Sequence, residues 1–166
     1  MPTNVFISFE RHNLQQVYDI RALASNPIHE LEFYDRSELK PVLDKAGKPL
    51  PYQPDDPPRS APIKRQLRGL LKLTTKMVVV IGEFTHRSSW VEWEIQSFYD
   101  RHNAISGDGN RRILGMYVQD THSDIVLPNI LRTYSIPLAK WDMHALSTWI
   151  NANPSHELPT LPYLFL

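Results

Sequence analysis

Met77 to Ile81 read MVVVI, a continuous apolar run with nothing polar on either side of the chain. A strand of that kind is covered on both faces, which suits a parallel sheet between helices and not an antiparallel sheet with one wet face. The remaining chain supplies the alternation such a sheet needs. NVFISF (Asn4 to Phe9) is a short β-rich run, and apolar residues at Leu14, Val17, Tyr18 and Ala22 predict a helix over 14–24 that Pro27 ends. LEFY (Leu31 to Tyr34) is half-polar and belongs nearer a sheet edge. IKRQLRGLLKL (Ile63 to Leu73) has the spacing of an amphipathic helix, with Lys64, Arg65, Arg68 and Lys72 on its solvated face. After the third strand (Lys76 to Ile81) come a helix from Trp90 to near Arg101, the turn SGDGN, and a fourth buried strand in RRILGMYV, Arg111 to Val118. Beyond it the pattern weakens. QDTHSDIVLPNI is polar, then apolar and interrupted by proline; TYSIPLAKW holds a fifth short strand, and Met143 to Asn153 a last helix.

Strand and helix alternate throughout, which implies a parallel sheet with helices on both faces joined by right-handed crossovers. About five strands make the expected fold a flavodoxin-like α/β three-layer sandwich with strand order 2-1-3-4-5. At 166 residues the chain is expected to be a single domain, 1–166. Eighteen basic residues balance eighteen acidic ones, so no basic field argues for nucleic acid or an anionic membrane. The absence of cysteine excludes disulfides and thiolate metal sites, and MPTNVFISFERHN holds no apolar segment of signal or membrane-spanning length; a soluble, cytoplasmic protein is expected.

Two segments do not fit the alternation. Seven of the fourteen prolines fall between Pro41 and Pro62, a density at which no helix or central strand is expected. This proline-rich loop, 41–62, is read as a surface insertion, a semi-rigid flap over a site beside the second strand, or a contact for a neighbouring subunit. The tail 154–166 ends LPYLFL and is apolar enough to pack back or to cover a partner's surface.

The chemistry concentrates in GEFTHRSSWVEWEIQSFY, Gly82 to Tyr99. Ser89 and Glu92 have the spacing of a capping box, which gives Glu92 a structural task. On a helical projection Phe98, Val91, Ile95 and Tyr99 lie at about 80°, 100°, 140° and 180° from Trp90, and Glu94 at about 40°, inside the apolar arc. A carboxylate there is paired, exposed in a cleft at the helix start, or protonated. The alternative is a glutamate at the edge of the stripe that reaches water and does nothing. Its place, one short loop beyond the carboxyl end of a buried strand, is where open α/β sheets bind ligands. Among weaker features, the seven histidines show no HxxxH or HExxH spacing, so no metal site is expected, and no GxGxxG, Walker or GxSxG motif occurs.

NVFISF, FYDRSE, MVVVIGEFT and above all SSWVEWEI, in this order and at these element ends, resemble the bacterial branch of the Toll/interleukin-1 receptor (TIR) family, over about Val5 to Val118. The resemblance is to the TIR signalling protein of Thoeris anti-phage defence. It implies cleavage of NAD at the nicotinamide ribosyl bond, with Glu94, the last residue of WxxxE, as the catalytic carboxylate. The product would be a cyclic or conjugated ADP-ribose that acts as a second messenger on a separate effector protein. NAD is then the substrate; no cofactor, metal, nucleic acid or membrane is implied, and self-association accompanies activity. Carried over with Glu94 as substrate-binding residues are Trp90 as a pocket wall, Phe9 as a stacking partner for nicotinamide, Ser88 in the loop facing the site, and Asp35 at the second strand's end. Glu83 is a second carboxylate nearby, expected to hydrogen-bond within its loop. Two other functions stay open: a non-catalytic TIR assembly module, and an N-glycosidase or transferase acting on another nucleoside or nucleotide.

Overall fold

A computed structural model describes residues 3–27, 30–39, 45–47, 54, 57–118 and 125–152. The described chain forms β1 (Thr3–Ser8), α1 (Leu14–Arg21), β2 (Leu31–Asp35), α2 (Pro57–Leu73), β3 (Lys76–Ile81), α3 (Ser89–Ser106), β4 (Ile113–Tyr117), α4 (Asn129–Thr133), β5 (Leu138–Lys140) and α5 (Met143–Asn151). The five strands make one parallel sheet in the order β2-β1-β3-β4-β5, as the alternation predicts. β2, the half-polar strand, is at an edge, and β3, the MVVVI strand, is at the centre with all six residues buried.

The pleat sends successive side chains to opposite faces. Phe6, Met77, Val79 and Ile81 join the core under α2 and α3, with Leu67, Leu71, Ile95 and Phe98. Val5, Ile7, Val78 and Val80 join the core under α1 and α5, with Val17, Ile20, Leu146 and Trp149. This division decides which residues at the strand ends can meet α3.

Some boundaries differ from expectation. α2 begins at Pro57, inside the stretch expected to bar helices, and contains Pro62. Pro57 and Pro58 lie in the first turn, where the N–H has no intrahelical acceptor, so prolines there cost little. Pro62 forfeits one bond, and the turns beyond it hold because Ile63, Leu67 and Leu71 bury one face. α3 runs to Ser106, past the expected Arg101, and stops at Gly107, whose φ of 71° is the left-handed conformation of a helix end. α4, a single short turn of helix in the proline-interrupted segment, was not expected. Of the rest of the proline-rich loop only 45–47 and 54 are among the described residues, and the tail 154–166 lies outside them.

The loop after β3 is held by Thr85, whose Oγ1 accepts from the Gly82 N–H (2.8 Å) and donates to the Val80 carbonyl (3.0 Å). A Cβ on Gly82 would stand 2.4 Å from Oδ1 and 2.8 Å from Cγ of Asn13, so β3 and the start of α1 approach too closely for any side chain. Gly82→Ala is therefore expected to destabilise the fold by about 1–3 kcal/mol, the usual cost of overpacking. Urea unfolding checks this, and a midpoint equal to the parent's would mean that Asn13 swings aside freely.

Candidate active site

Glu94 is 1% exposed, on the first turns of α3, where the helix packs on β1 and β3 and meets the carboxyl end of β1. Its Oε1 accepts from the Ser8 hydroxyl at 2.7 Å and its Oε2 from Nη1 of Arg36 at 3.3 Å. The Arg36 guanidinium also donates to the Phe9 carbonyl (3.4 Å) and lies 5.8 Å from the Trp90 ring centroid. Burial raises the Glu94 pKa from 4.5 to about 7; Arg36 and the Ser8 hydroxyl pull it down, and Asp35 adds a smaller upward push. The desolvation of a sealed carboxylate thus outweighs its two partners.

Each partner follows from the pleat. Ser8 shares the face of Phe6, and Arg36 follows Asp35 at the end of β2, so both reach α3. Phe9 and Asp35 fall on the other face. The Phe9 ring packs in the core with Val5, Ile7 and Val17, across the sheet from Glu94, and only its carbonyl reaches the site through Arg36. Asp35 is fully buried; it pairs with Arg21 of α1 and accepts from the Ser37 N–H (2.7 Å) and hydroxyl, capping the turn Arg36–Glu38. Its carboxylate is committed to holding that turn, and so to placing Arg36. The expected stacking by Phe9 and ligand contact by Asp35 therefore do not match this geometry.

Ser88, and not Ser89, is the N-cap of α3: its hydroxyl accepts from the Val91 N–H at 3.2 Å. The expected Ser89–Glu92 capping box therefore does not form: the chain leaves helical geometry at Ser88 (φ −85°, ψ 107°), so the third helical residue is Val91, which has no carboxylate to reach back, and Glu92 is exposed. Trp90 is 9% exposed, meets Trp93 edge-on with centroids 5.9 Å apart, and forms a wall of an open cleft of about 440 Å³. That cleft lies between the loops after β1 and β3, lined also by Arg11, His12, Phe84, Arg87 and Ser88. Arg36 spans the gap from Trp90 to Glu94. Glu83 is exposed. Among the described residues no three His, Asp or Glu side chains stand close enough to hold a metal ion, and no helix is long and apolar enough to cross a membrane.

Ser8 and Arg36 were not among the expected site residues. The signal for both is period two: Ser8 alternates with Phe6 onto the side that α3 covers, and Arg36 is the only basic residue of FYDRSE.

The parallel sheet of order 2-1-3-4-5, with Asp35 and Glu94 buried at the ends of its first strands, makes this a flavodoxin-like α/β domain of the kind TIR domains adopt. The chain belongs to the TIR-like domain family of the Thoeris protein ThsB, whose model matches residues 6–123 and so includes Ser8, Arg36, Trp90 and Glu94. This places it with the TIR modules of anti-phage defence. Among solved structures, one titled "Crystal structure of conserved protein from Enterococcus faecalis V583" matches with a TM-score of 0.55 at 15% identity, covering 90% of this chain and 98% of that one; it is a likeness of fold. No curated protein matches the chain.

Proposed function

We propose that this chain cleaves NAD between nicotinamide and ribose, with Glu94 as the group that stabilises the developing oxocarbenium ion. The observation that carries this reading is the carboxylate of Glu94, buried at the strand ends and held by the Ser8 hydroxyl and the Arg36 guanidinium, in a chain of the ThsB TIR-like family. The substrate's nicotinamide is a pyridinium, and Arg36 occupies the position beside Oε2 that such a positive ring would take. Nicotinamide departs as a neutral molecule, so no acid is needed, and one ionised carboxylate suffices. Ser8 fixes that carboxylate, Trp90 walls the approach to it, and Arg36 must move aside for the ribose to reach it. The product is an ADP-ribose derivative whose form depends on which nucleophile attacks the open face, and it serves as a signal to a separate effector.

Incubation of purified protein with NAD, with nicotinamide release followed by chromatography and the product by mass spectrometry, tests this. Glu94→Gln and Glu94→Ala are expected to lose about 10²–10³-fold in turnover. If both variants match an active parent, Glu94 is not the catalyst. The ionised form is the working one, so activity is expected to rise with pH through about 7. Arg36 lowers the Glu94 pKa, so Arg36→Gln should move that rise to higher pH. A pH profile unchanged in Arg36→Gln would show that the guanidinium has left the carboxylate before the reaction.

The sealing of Glu94 favours a second reading, an assembly module whose glutamate is structural. It predicts that Glu94→Ala keeps phage resistance, and that outcome with no NAD loss in cells would displace the enzyme reading.

A further inference from the structure

The side of α2 that lines its groove with α3 carries charge of one sign. α2 has Lys64, Arg65, Arg68 and Lys72 and no acid in its 17 residues, and Arg101 of α3 joins them at the groove. None of these five cations forms an ion pair with a described residue. Of the exposed acids of α3, Asp100 acts on Tyr134 and Glu92 lines a small cavity with Pro128 and Asn129, and neither pairs with these cations. In a chain of zero formal charge, this gathering is not the by-product of surplus lysine and arginine. Like charges held together repel, and an anion between them removes that cost.

The groove also has room. A cavity of about 250 Å³ opens in it, and a second of about 500 Å³, whose described lining comes from α2 alone, adjoins it on the outer face of that helix, with Arg68 and Lys72 walls of both. Arg101, Leu71 and Ser97 complete the smaller one, and the Nε of Arg101 is buried without a hydrogen-bond partner. Gly69 lies on the larger one, and nothing stands within 4 Å of where its Cβ would be. A glycine inside a helix is unfavourable relative to alanine, and here it leaves the trough open down to the backbone. Lys64 and Arg68 lie 5.8 and 5.5 Å from the ring centroid of Trp93, which anchors their charges at the groove.

We propose that the α2/α3 groove is a second binding site, separate from Glu94, for a small anion carrying two or three phosphate groups. Arg68, Lys72 and Arg101 hold phosphate oxygens in the smaller cavity, the guanidinium forks suiting paired oxygens, and the larger trough takes the rest of the molecule. Cations converging from two helices on a groove of this volume suit a small ligand better than a polymer, which is met by charge spread over an open face.

The test uses the full chain carrying Glu94→Gln, so that no nucleotide is consumed, titrated in a calorimeter with inorganic pyrophosphate and with ADP. Saturable binding that weakens as salt rises is expected for both, and tighter binding of ADP would show that the trough contacts the nucleoside. Arg68→Gln with Arg101→Gln should weaken binding by about tenfold or more, while melting without ligand at or above the parent temperature because two like charges are gone. Gly69→Leu should weaken ADP by filling the trough with every charge in place. Absence of saturable binding overturns the proposal, as does binding untouched by all these substitutions, which would put the anion in the cleft beside Trp90. A single-stranded oligonucleotide that binds more tightly than ADP overturns it in favour of nucleic acid.

Discussion

Glu94→Gln is expected to be more stable than the parent at pH 8 by about 1–3 kcal/mol, and equal to it at pH 5. The folded carboxyl has its pKa raised from 4.5 to about 7, so between those values the native state binds more protons than the unfolded one. Stability therefore falls as pH rises through this window, and above pH 7 the fold carries the whole cost of a buried charge, on the order of 3 kcal/mol. The amide carries no charge at any of these pH values. It keeps the volume, can donate to Ser8 and accept from Arg36, and forgoes only the attraction between Arg36 and the carboxylate. That attraction is already outweighed by desolvation, the largest influence on the group. Urea unfolding of both proteins at pH 5, 6.5 and 8 measures the difference. An advantage that does not grow between pH 5 and 8 would mean that the carboxylate ionises in its ordinary range.

Such a result bears on function as well as on stability. A carboxylate that destabilises its own fold at the pH where it is ionised is a poor structural element, since glutamine would serve better there. On the proposed chemistry the same charge is useful, because it is stabilised when a pyridinium, and then an oxocarbenium ion, stands where Arg36 stands now. The two predictions on Glu94 are thus linked: the substitution that removes turnover should strengthen the protein.

The layering of the sheet was legible because β3 is apolar on every residue, and Glu94 was legible because a helix projects its residues at fixed angles. What misled was the end of each strand. Phe9 and Asp35 were chosen for their chemistry, an aromatic ring and a carboxylate, whereas the pleat had already directed Ser8 and Arg36 toward α3 and the other two toward α1. Counting alternate residues forward from Phe6 would have found Ser8. The start of α2 was hidden for another reason: proline density reads as loop, but prolines in a first helical turn lose nothing that a helix needs. The solvated face assigned to α2 was read correctly as polar. That α3 would bring Arg101 to the same groove depends on packing between two helices, which no local pattern records.

Lys76 shows the same limit and carries the largest expected effect on stability. In the sequence it is only the first residue of a strand; in the fold it is 3% exposed and its ammonium donates to the carbonyls of Trp149, Ile150 (2.9 Å) and Ala152 (2.6 Å) at the end of α5. It also lies 4.8 Å from the Trp149 ring centroid, and so it ties the centre of the sheet to the last helix, where carbonyls lack intrahelical donors. Burial, and secondarily Arg112, lowers its pKa from 10.5 to about 8. Lys76→Ala removes a buried stem and leaves the Ile150 and Ala152 carbonyls without this donor, while that of Trp149 keeps the Ala152 N–H (3.2 Å), and the losses together are expected to cost about 3–4 kcal/mol in urea unfolding at pH 7. Lys76→Met restores the stem alone and should recover part of that cost; the remainder measures the three hydrogen bonds. The folded lysine gives up its proton before the unfolded one does, so the parent gains stability as pH rises from about 8 toward 10.5, and Lys76→Met should lack this gain. A loss below about 1 kcal/mol in Lys76→Ala would show that water replaces the ammonium at the end of α5.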